Sequence, residues 1–280
     1  MKKMTKWIAL LVAMLTLCAM FTACGKDADT KTSDDQSVSA AQNAYEKVIA
    51  AGKLTVATSP DFPPFESIAD DGEYVGIEMD LIKKIGEKMG VSVEIVQMDF
   101  DTVLAGVQAG KFDCGAAGIS VDEDRQKNMD FTDAYCLAAQ SIVVKADSAI
   151  KSKADLAGKT VSVQSGTTAD KFCQQNGYTV SAFAANNDAQ AALVSGKVDA
   201  WVIDDLTAAE MVKAYNDAHD DKLVVLSEAM TTEPYAFAFA KGSDALVEKV
   251  NAALKELEAD GTVAALFEKY DAPFTAPDAE

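Results

Sequence analysis

The chain has 280 residues, 49% of them hydrophobic and 25% charged, and its 44 acidic against 25 basic side chains give a formal charge of −19. That length can bury one large core or two smaller ones. The acidic excess argues against nucleic acid and anionic lipid surfaces as partners. The single histidine, His219, sits in the polar run Asn216-Asp217-Ala218-His219-Asp220-Asp221. This leaves no histidine-built zinc site and no base for a Ser-His-Asp or Cys-His mechanism. Neither a GxGxxG nor a GxxxxGK pattern occurs, so no cofactor and no metal is expected.

Lys2, Lys3 and Lys6 precede an apolar run from Trp7 to about Phe21. A basic start followed by an apolar segment too short for a comfortable membrane span reads as a secretory signal over residues 1–23. It ends in Phe21-Thr22-Ala23-Cys24-Gly25, which resembles the lipobox of bacterial lipoproteins. Cys24 is then the lipidated first residue of an exported protein, held at the outer face of the cytoplasmic membrane, periplasmic or extracellular. An uncleaved signal anchor is the other reading. Cleavage removes three lysines and no acid, taking the charge from −19 to −22. From Lys26 the chain is mostly Asp, Thr, Ser, Lys, Gln and Ala without periodicity, so residues 24–42 read as a disordered tether.

Periodicity then predicts a first α/β lobe. Lys53–Thr58 alternates as a strand and runs into Ser59-Pro60-Asp61-Phe62-Pro63-Pro64-Phe65-Glu66, where three prolines stiffen the loop. Leu81, Ile82, Ile85 and Met89 form a helical stripe stopped by Gly90. A strand over 91–96, a helix over 102–109 closed by Gly110, and a short buried strand over 114–117 follow. The next stretch, Gly118-Ile119-Ser120-Val121-Asp122-Glu123-Asp124-Arg125, ends on the chain's sole arginine, with Asp122 as a helix cap. The pattern restarts near 141–145. Helices are expected at 154, 168, 188–194 and 206–215, alternating with strands over 160–163, 178–183, 199–203 and 223–226. After an extended run over 235–240, a long amphipathic helix carries Leu246, Val250, Leu254 and Leu257, and a short one spans 263–270.

This alternation implies parallel strands with covering helices. The tail after Tyr235 lacks a unit of its own and is placed on the first lobe. Lobe 1 is therefore expected over 43–143 and 236–280, and lobe 2 over 144–235. Two extended hinge crossings fall near 142–146 and 232–238. The cysteines beyond Cys24, namely Cys114, Cys136 and Cys173, read as small buried hydrophobes, and no disulfide follows from their spacing.

Ligands in open α/β sheets sit beyond the carboxyl ends of the strands, so the loops there carry the candidate site. Arg125 has the fork of donors that suits a carboxylate, although Asp122, Glu123 and Asp124 offer it a surface pairing instead. Ser120 and the helix start at Thr167 and Thr168, after Gln164-Ser165-Gly166, supply further donors; the plain alternative there is a helix cap. Asp204, ending its strand, and the Gly118 carbonyl are acceptors for an ammonium. Phe62, Phe65 and Phe100 are candidate platforms, with core filling favoured for Phe65. The set matches a zwitterion carrying an α-carboxylate and an α-amino group.

The same residues resemble the amino-acid-binding proteins of bacterial ABC importers, the family 3 solute-binding proteins, over about Lys53 to Tyr270. The resemblance is carried by Phe62-Pro63-Pro64-Phe65-Glu66, Gly76-Ile77-Glu78-Met79-Asp80-Leu81, Gly110-Lys111-Phe112-Asp113, the stretch Gly118 to Arg125, Asp130-Phe131-Thr132-Asp133-Ala134-Tyr135, Gly166-Thr167-Thr168 and Asp199 to Asp204. It implies a two-lobed α/β periplasmic-binding-protein fold of type II with two hinge crossings. The protein would be a non-enzymatic monomer that captures a free amino acid and delivers it to an ABC permease. It implies that Arg125 clamps the α-carboxylate with Ser120 and the Thr167 and Thr168 amides. Asp204 and the Gly118 carbonyl would hold the ammonium, and Phe62 and Phe100 would sandwich the side chain. Ser59, Glu78, Gln164 and Ile203 depart from common family residues, and they sit at positions that read the side chain. A secreted cyclohexadienyl (arogenate or prephenate) dehydratase on the same fold is the enzymatic alternative, with Glu78 as its candidate acid; a sensory domain for a membrane receptor is a third.

Overall fold

The computed structural model describes residues 44–277. The signal segment, Cys24 and the tether lie outside the described residues. Helix α1 covers residues 44–51, and strand β1 is Lys53–Thr58. The three-proline loop holds two short strands, β2 (Asp61–Phe62) and β3 (Glu66–Ile68), joined by β4 (Tyr74–Val75) into a small antiparallel sheet. Helix α2 (Ile77–Met89), β5 (Ser92–Gln97), α3 (Phe100–Gln108), β6 (Cys114–Gly115), α4 (Glu123–Asn128) and β7 (Met129–Phe131) follow. β8 (Cys136–Ala138) leads to β9 (Gln140–Lys145). Then come a 3-10 turn at Lys153–Leu156, β10 (Thr160–Gln164), α5 (Thr168–Gln175), β11 (Thr179–Phe183) and α6 (Asn186–Val194). β12 (Ala200–Asp204), α7 (Asp205–Ala218) and β13 (Leu223–Val225) complete the second half. The chain returns through β14 (Glu233–Tyr235) and β15 (Ala238–Ala240) to α8 (Asp244–Ala259) and α9 (Thr262–Lys269).

Two five-stranded sheets result, ordered β5-β1-β6-β15-β7 and β11-β10-β12-β9-β13. β1 runs parallel to β5 and β6, and β10 runs parallel to β11 and β12, as the strand–helix alternation requires. One strand of each sheet runs against the others, β15 in the first and β9 in the second, and each directly follows a crossing. The fold is the two-lobed arrangement expected of periplasmic binding proteins.

The first crossing lies earlier than the boundary expected at residue 143. Gln140–Lys145 pairs with β12 and β13 in the second sheet, so the chain has already passed over. The passage itself is β8, which pairs antiparallel with β14 as a two-stranded link. The run Ser141-Ile142-Val143-Val144 is buried throughout. An all-buried strand has no alternation to mark where one core ends and the next begins, so its sheet could not be assigned from its pattern.

The returning tail packs where expected. Leu246, Val250, Leu254 and Leu257 of α8 are buried in one cluster with Leu81, Ile82 and Ile85 of α2, each such side chain contributing roughly 1.5–3 kcal/mol on burial. Tyr270 fastens the end of α9 to the same helix, accepting from the Gly76 N–H at 3.0 Å and donating to Asp80 Oδ2 at 2.9 Å. The second sheet has its own cluster around Ile142, Val161, Val163 and Val202. Cys114, Cys136 and Cys173 are free and buried, the small-hydrophobe role expected of them. Among the described residues, no helix is long and apolar enough to cross a membrane.

Candidate ligand-binding site

The carboxyl ends of β1, β6, β10 and β12 converge on one narrow, nearly closed cavity. Every residue expected at the site lines it: Ser59, Phe62, Phe100, Gly118, Ser120, Arg125, Gln164, Thr167, Thr168 and Asp204. Glu66 and Ala117, not foreseen as site residues, line it as well.

Arg125 stands on α4, whose start is capped by Asp122: its carboxylate accepts from the N–H groups of Asp124 and Arg125 at 2.7 and 2.9 Å. The surface pairing once open to Arg125 is a secondary contact, since Asp122 lies 4.0 Å from Nε. The guanidinium instead donates through Nη1 to the Ser120 carbonyl at 2.8 Å and through Nη2 to the Gly166 carbonyl at 3.2 Å. The second bond reaches the loop after β10, so the arginine spans the cleft. The same guanidinium lies 5.5 Å above the centre of the Phe100 ring, a cation–π contact. Phe100 thus lies under the guanidinium as well as in the cavity wall. Burial pulls the Arg125 pKa down, opposed chiefly by Asp122, Glu233 and Asp204.

On the opposite wall, Thr167 caps α5: its hydroxyl accepts from the Asp170 N–H at 3.2 Å and donates to the Gln164 carbonyl at 2.7 Å. The plain capping role therefore holds for its hydroxyl, and what it offers a ligand is the N–H-rich first turn behind it. Gln164 lines the cavity with its amide already engaged, accepting from Asn186 Nδ2 at 3.0 Å and donating to the Ala184 carbonyl at 3.1 Å and to Asp61. Ser59 donates to Asp61 at 3.1 Å, and Asp61 also takes the Asn186 N–H at 2.6 Å, tying the first half of the chain to the second.

Two polar residues at the crossings went unnoticed in the sequence. Glu233 accepts from Ser120 Oγ at 2.5 Å and from Thr168 Oγ1 at 2.6 Å, and its other oxygen accepts from Thr231 at 2.8 Å. Gln140 donates to Asp204 Oδ1 at 2.9 Å. The available signal was their place at the two crossings, because a polar side chain there must lie at the bottom of the cleft. Asp204 is buried, and burial followed by the nearby Glu233 pushes its pKa up to about 8. Tyr235 points its hydroxyl toward the same carboxyl without meeting hydrogen-bond geometry.

Phe62 stacks on Phe65, with ring centres 5.9 Å apart. Phe65 is fully buried among Phe62, Tyr235 and Phe267, the core role favoured for it. Phe62 leans on Gly118, where a Cβ would come within 2.5 Å of the ring, and the backbone there has φ +54°. Gly118→Ala is therefore expected to destabilise the fold by roughly 2–4 kcal/mol, from left-handed strain plus a displaced ring. Denaturant unfolding measures it, and a loss below about 0.5 kcal/mol would mean that the ring is free to move aside.

Behind the cavity stand two adjacent carboxyls. Gly76, at φ +132°, lets the start of α2 lie against Phe65, where a Cβ would meet the Phe65 carbonyl at 2.2 Å. The Glu78 N–H accordingly donates to that carbonyl at 3.0 Å. Glu78 accepts from the Gly118 N–H at 2.7 Å and from Tyr135 Oη at 2.8 Å. Its pKa is pushed up to about 7 by burial, which these donors only partly offset. Glu66 is raised as well, first by burial and then by the adjacent Glu78 carboxyl, to which it is hydrogen-bonded. The one histidine, His219, stacks on Tyr215 at the surface and has no part in the site.

Residues 54–273 match the model of the bacterial extracellular solute-binding proteins, family 3. The arginine-binding extracellular protein ArtP of Bacillus subtilis is 32% identical over 272 residues, covering 95% of this chain and 98% of that protein. The L-cystine-binding protein TcyJ of Escherichia coli K12 is 31% identical over 228 residues, covering 80% of this chain and 84% of the relative. Among solved structures, the ancestral amino acid-binding protein AncCDT-1, a precursor of cyclohexadienyl dehydratase, aligns with TM-score 0.74 and 35% identity, covering 81% of this chain and 98% of that one. The chain belongs to the family 3 bacterial extracellular solute-binding proteins.

Proposed function

We propose that this protein is the ligand-capturing component of an ABC importer: a lipid-anchored monomer, tethered through Cys24, that closes on a free amino acid and presents it to a membrane permease without catalysing a reaction. The observation that carries this reading is the pairing of Arg125 with Asp204 in one cavity, a cationic fork and a carboxyl supplied by the two sheets. A zwitterion answers both, its carboxylate on Arg125 and the α5 start, its ammonium on Asp204 and the Gly118 carbonyl. Charge-assisted hydrogen bonds contribute about 1.5–3 kcal/mol each. Several of them reach the roughly −8 kcal/mol of micromolar binding after ordering costs.

The dehydratase alternative needs an acid presented to the substrate. Glu78 is spent on the Gly118 N–H and Tyr135 and does not line the cavity, which favours the binding role. Protein stripped of ligand by unfolding and refolding is expected to gain thermal stability with at least one of the twenty amino acids and to form no phenylpyruvate from prephenate. Absence of any shift, or turnover of prephenate, would overturn the proposal.

A further inference from the structure

Resting on the amino-acid reading, we infer that the side-chain end of this cavity takes a positively charged group, a guanidinium or an ammonium, with Glu66 as its counter-ion. Glu66 lines the cavity and is fully buried. Neither of its oxygens meets an N–H or hydroxyl donor, and its one hydrogen-bonding contact is the neighbouring Glu78 carboxyl. An ionised carboxylate in that position is costly unless a cation pairs with it. Its neighbours are satisfied differently. Glu78 has the Gly118 N–H and the Tyr135 hydroxyl, Asp61 has the Asn186 N–H, Ser59 and Gln164, and Glu233 has three hydroxyls. Asp204 has Gln140 and is left for the α-ammonium. Glu66 alone among these carboxyls has only another carboxyl beside it.

The charge balance points the same way. Asp61, Glu66, Glu78, Asp204 and Glu233 surround the cavity, and Arg125 is the one cation lining it. Burial holds Glu66 and Asp204 toward their protonated forms, so a zwitterion with a neutral side chain calls on one carboxyl only. A second positive charge on the ligand gives Glu66, which lines the cavity, a partner against which to ionise. The walls beside Glu66 fit such a group, since Phe62, Ala117 and Phe100 supply apolar and aromatic surface on which a guanidinium plane or a methylene stem can lie.

The test is calorimetric titration of the ligand-stripped protein with two isosteric pairs, arginine against citrulline and lysine against norleucine. At least one cationic member is expected to bind roughly 100-fold more tightly than its neutral partner. In Glu66→Gln that ratio is expected to fall below about tenfold, with the neutral partner bound as before. A neutral amino acid binding most tightly overturns the inference and leaves the amino-acid reading standing, whereas no binding by any amino acid overturns both. An undiminished ratio in a folded Glu66→Gln removes Glu66 as the counter-ion. Should that variant fail to fold, Glu66→Asp withdraws the charge by one carbon. It is expected to keep the preference at roughly tenfold weaker affinity, and unchanged affinity would overturn the assignment.

Discussion

Arg125→Ala is expected to abolish amino-acid binding, weakening it by at least roughly 10²–10³-fold, the loss of two charge-assisted bonds at about 1.5–3 kcal/mol each. The guanidinium is the sole arginine of the chain, its side chain is only 10% exposed, and it already bridges the Ser120 and Gly166 carbonyls across the cleft. A ligand carboxylate meets there a donor fork that Phe100 supports from below. Arg125→Lys is expected to lose most of the same affinity, because a single ammonium cannot serve both carboxylate oxygens in one plane. Neither change disturbs a core: α4 is a single short helix with no buried residue. The melting temperature of the ligand-free protein should therefore stay close to that of the wild type while calorimetry registers no heat of binding. An affinity within about fivefold of wild type would remove the clamp role.

The second large effect is a pair of opposed pH dependences. Burial, and then Glu233, raises Asp204 to about 8 from an ordinary value of 3.8, and burial raises Glu78 to about 7. A carboxyl raised in the folded state binds more protons there than in the unfolded chain between the two values. Its stabilising contribution is fully present below the unfolded pKa and is lost as pH rises through the folded one. The ligand-free protein should accordingly melt higher at pH 5 than at pH 8. For Asp204 alone the difference is about 4 kcal/mol, on the order of 10 °C for a domain of this size. Binding should run the other way, because the α-ammonium needs Asp204 ionised. Affinity is expected to fall up to tenfold per pH unit below about 8, one proton for the titrating Asp204. Calorimetry across pH 5–8 reads the ligand arm and differential scanning reads the other. Asp204→Asn should flatten the stability slope, which separates this carboxyl from the general repulsion of an acidic surface. A melting temperature that climbs from pH 5 to pH 8 in the ligand-free protein would mean that these carboxyls are already ionised and paired.

Much of the site was legible along the chain because strand ends are. Ser59, Gly118, Gln164 and Asp204 each follow or close a run whose alternation or burial marks a strand, and ligands gather beyond such ends. Arg125 could be singled out by its rarity, and Thr167 by the glycine before it. Glu66 was quoted within Phe62-Pro63-Pro64-Phe65-Glu66 yet passed over, since nothing local says whether a carboxylate after a proline loop meets solvent or protein. Glu233 and Gln140 lie far apart in sequence and meet only through the β8–β14 pairing, a contact between segments nearly a hundred residues distant.

Local chemistry was sufficient for the class of the fold, its two α/β halves and the singling out of Arg125 as the candidate carboxylate clamp. Each of these follows from short-range periodicity, capping or a residue type with one suitable use. Folding in three dimensions was needed to set the boundary between the sheets, because an all-buried strand such as Gln140–Lys145 has no face that names its partner. It was needed also to sort the acids of the cleft. In sequence they are equivalent carboxyl groups. Once buried, the donors around Glu78, Asp61 and Glu233 satisfy three of them, Asp204 is met by Gln140, and Glu66 stands against the Glu78 carboxyl with no N–H or hydroxyl donor.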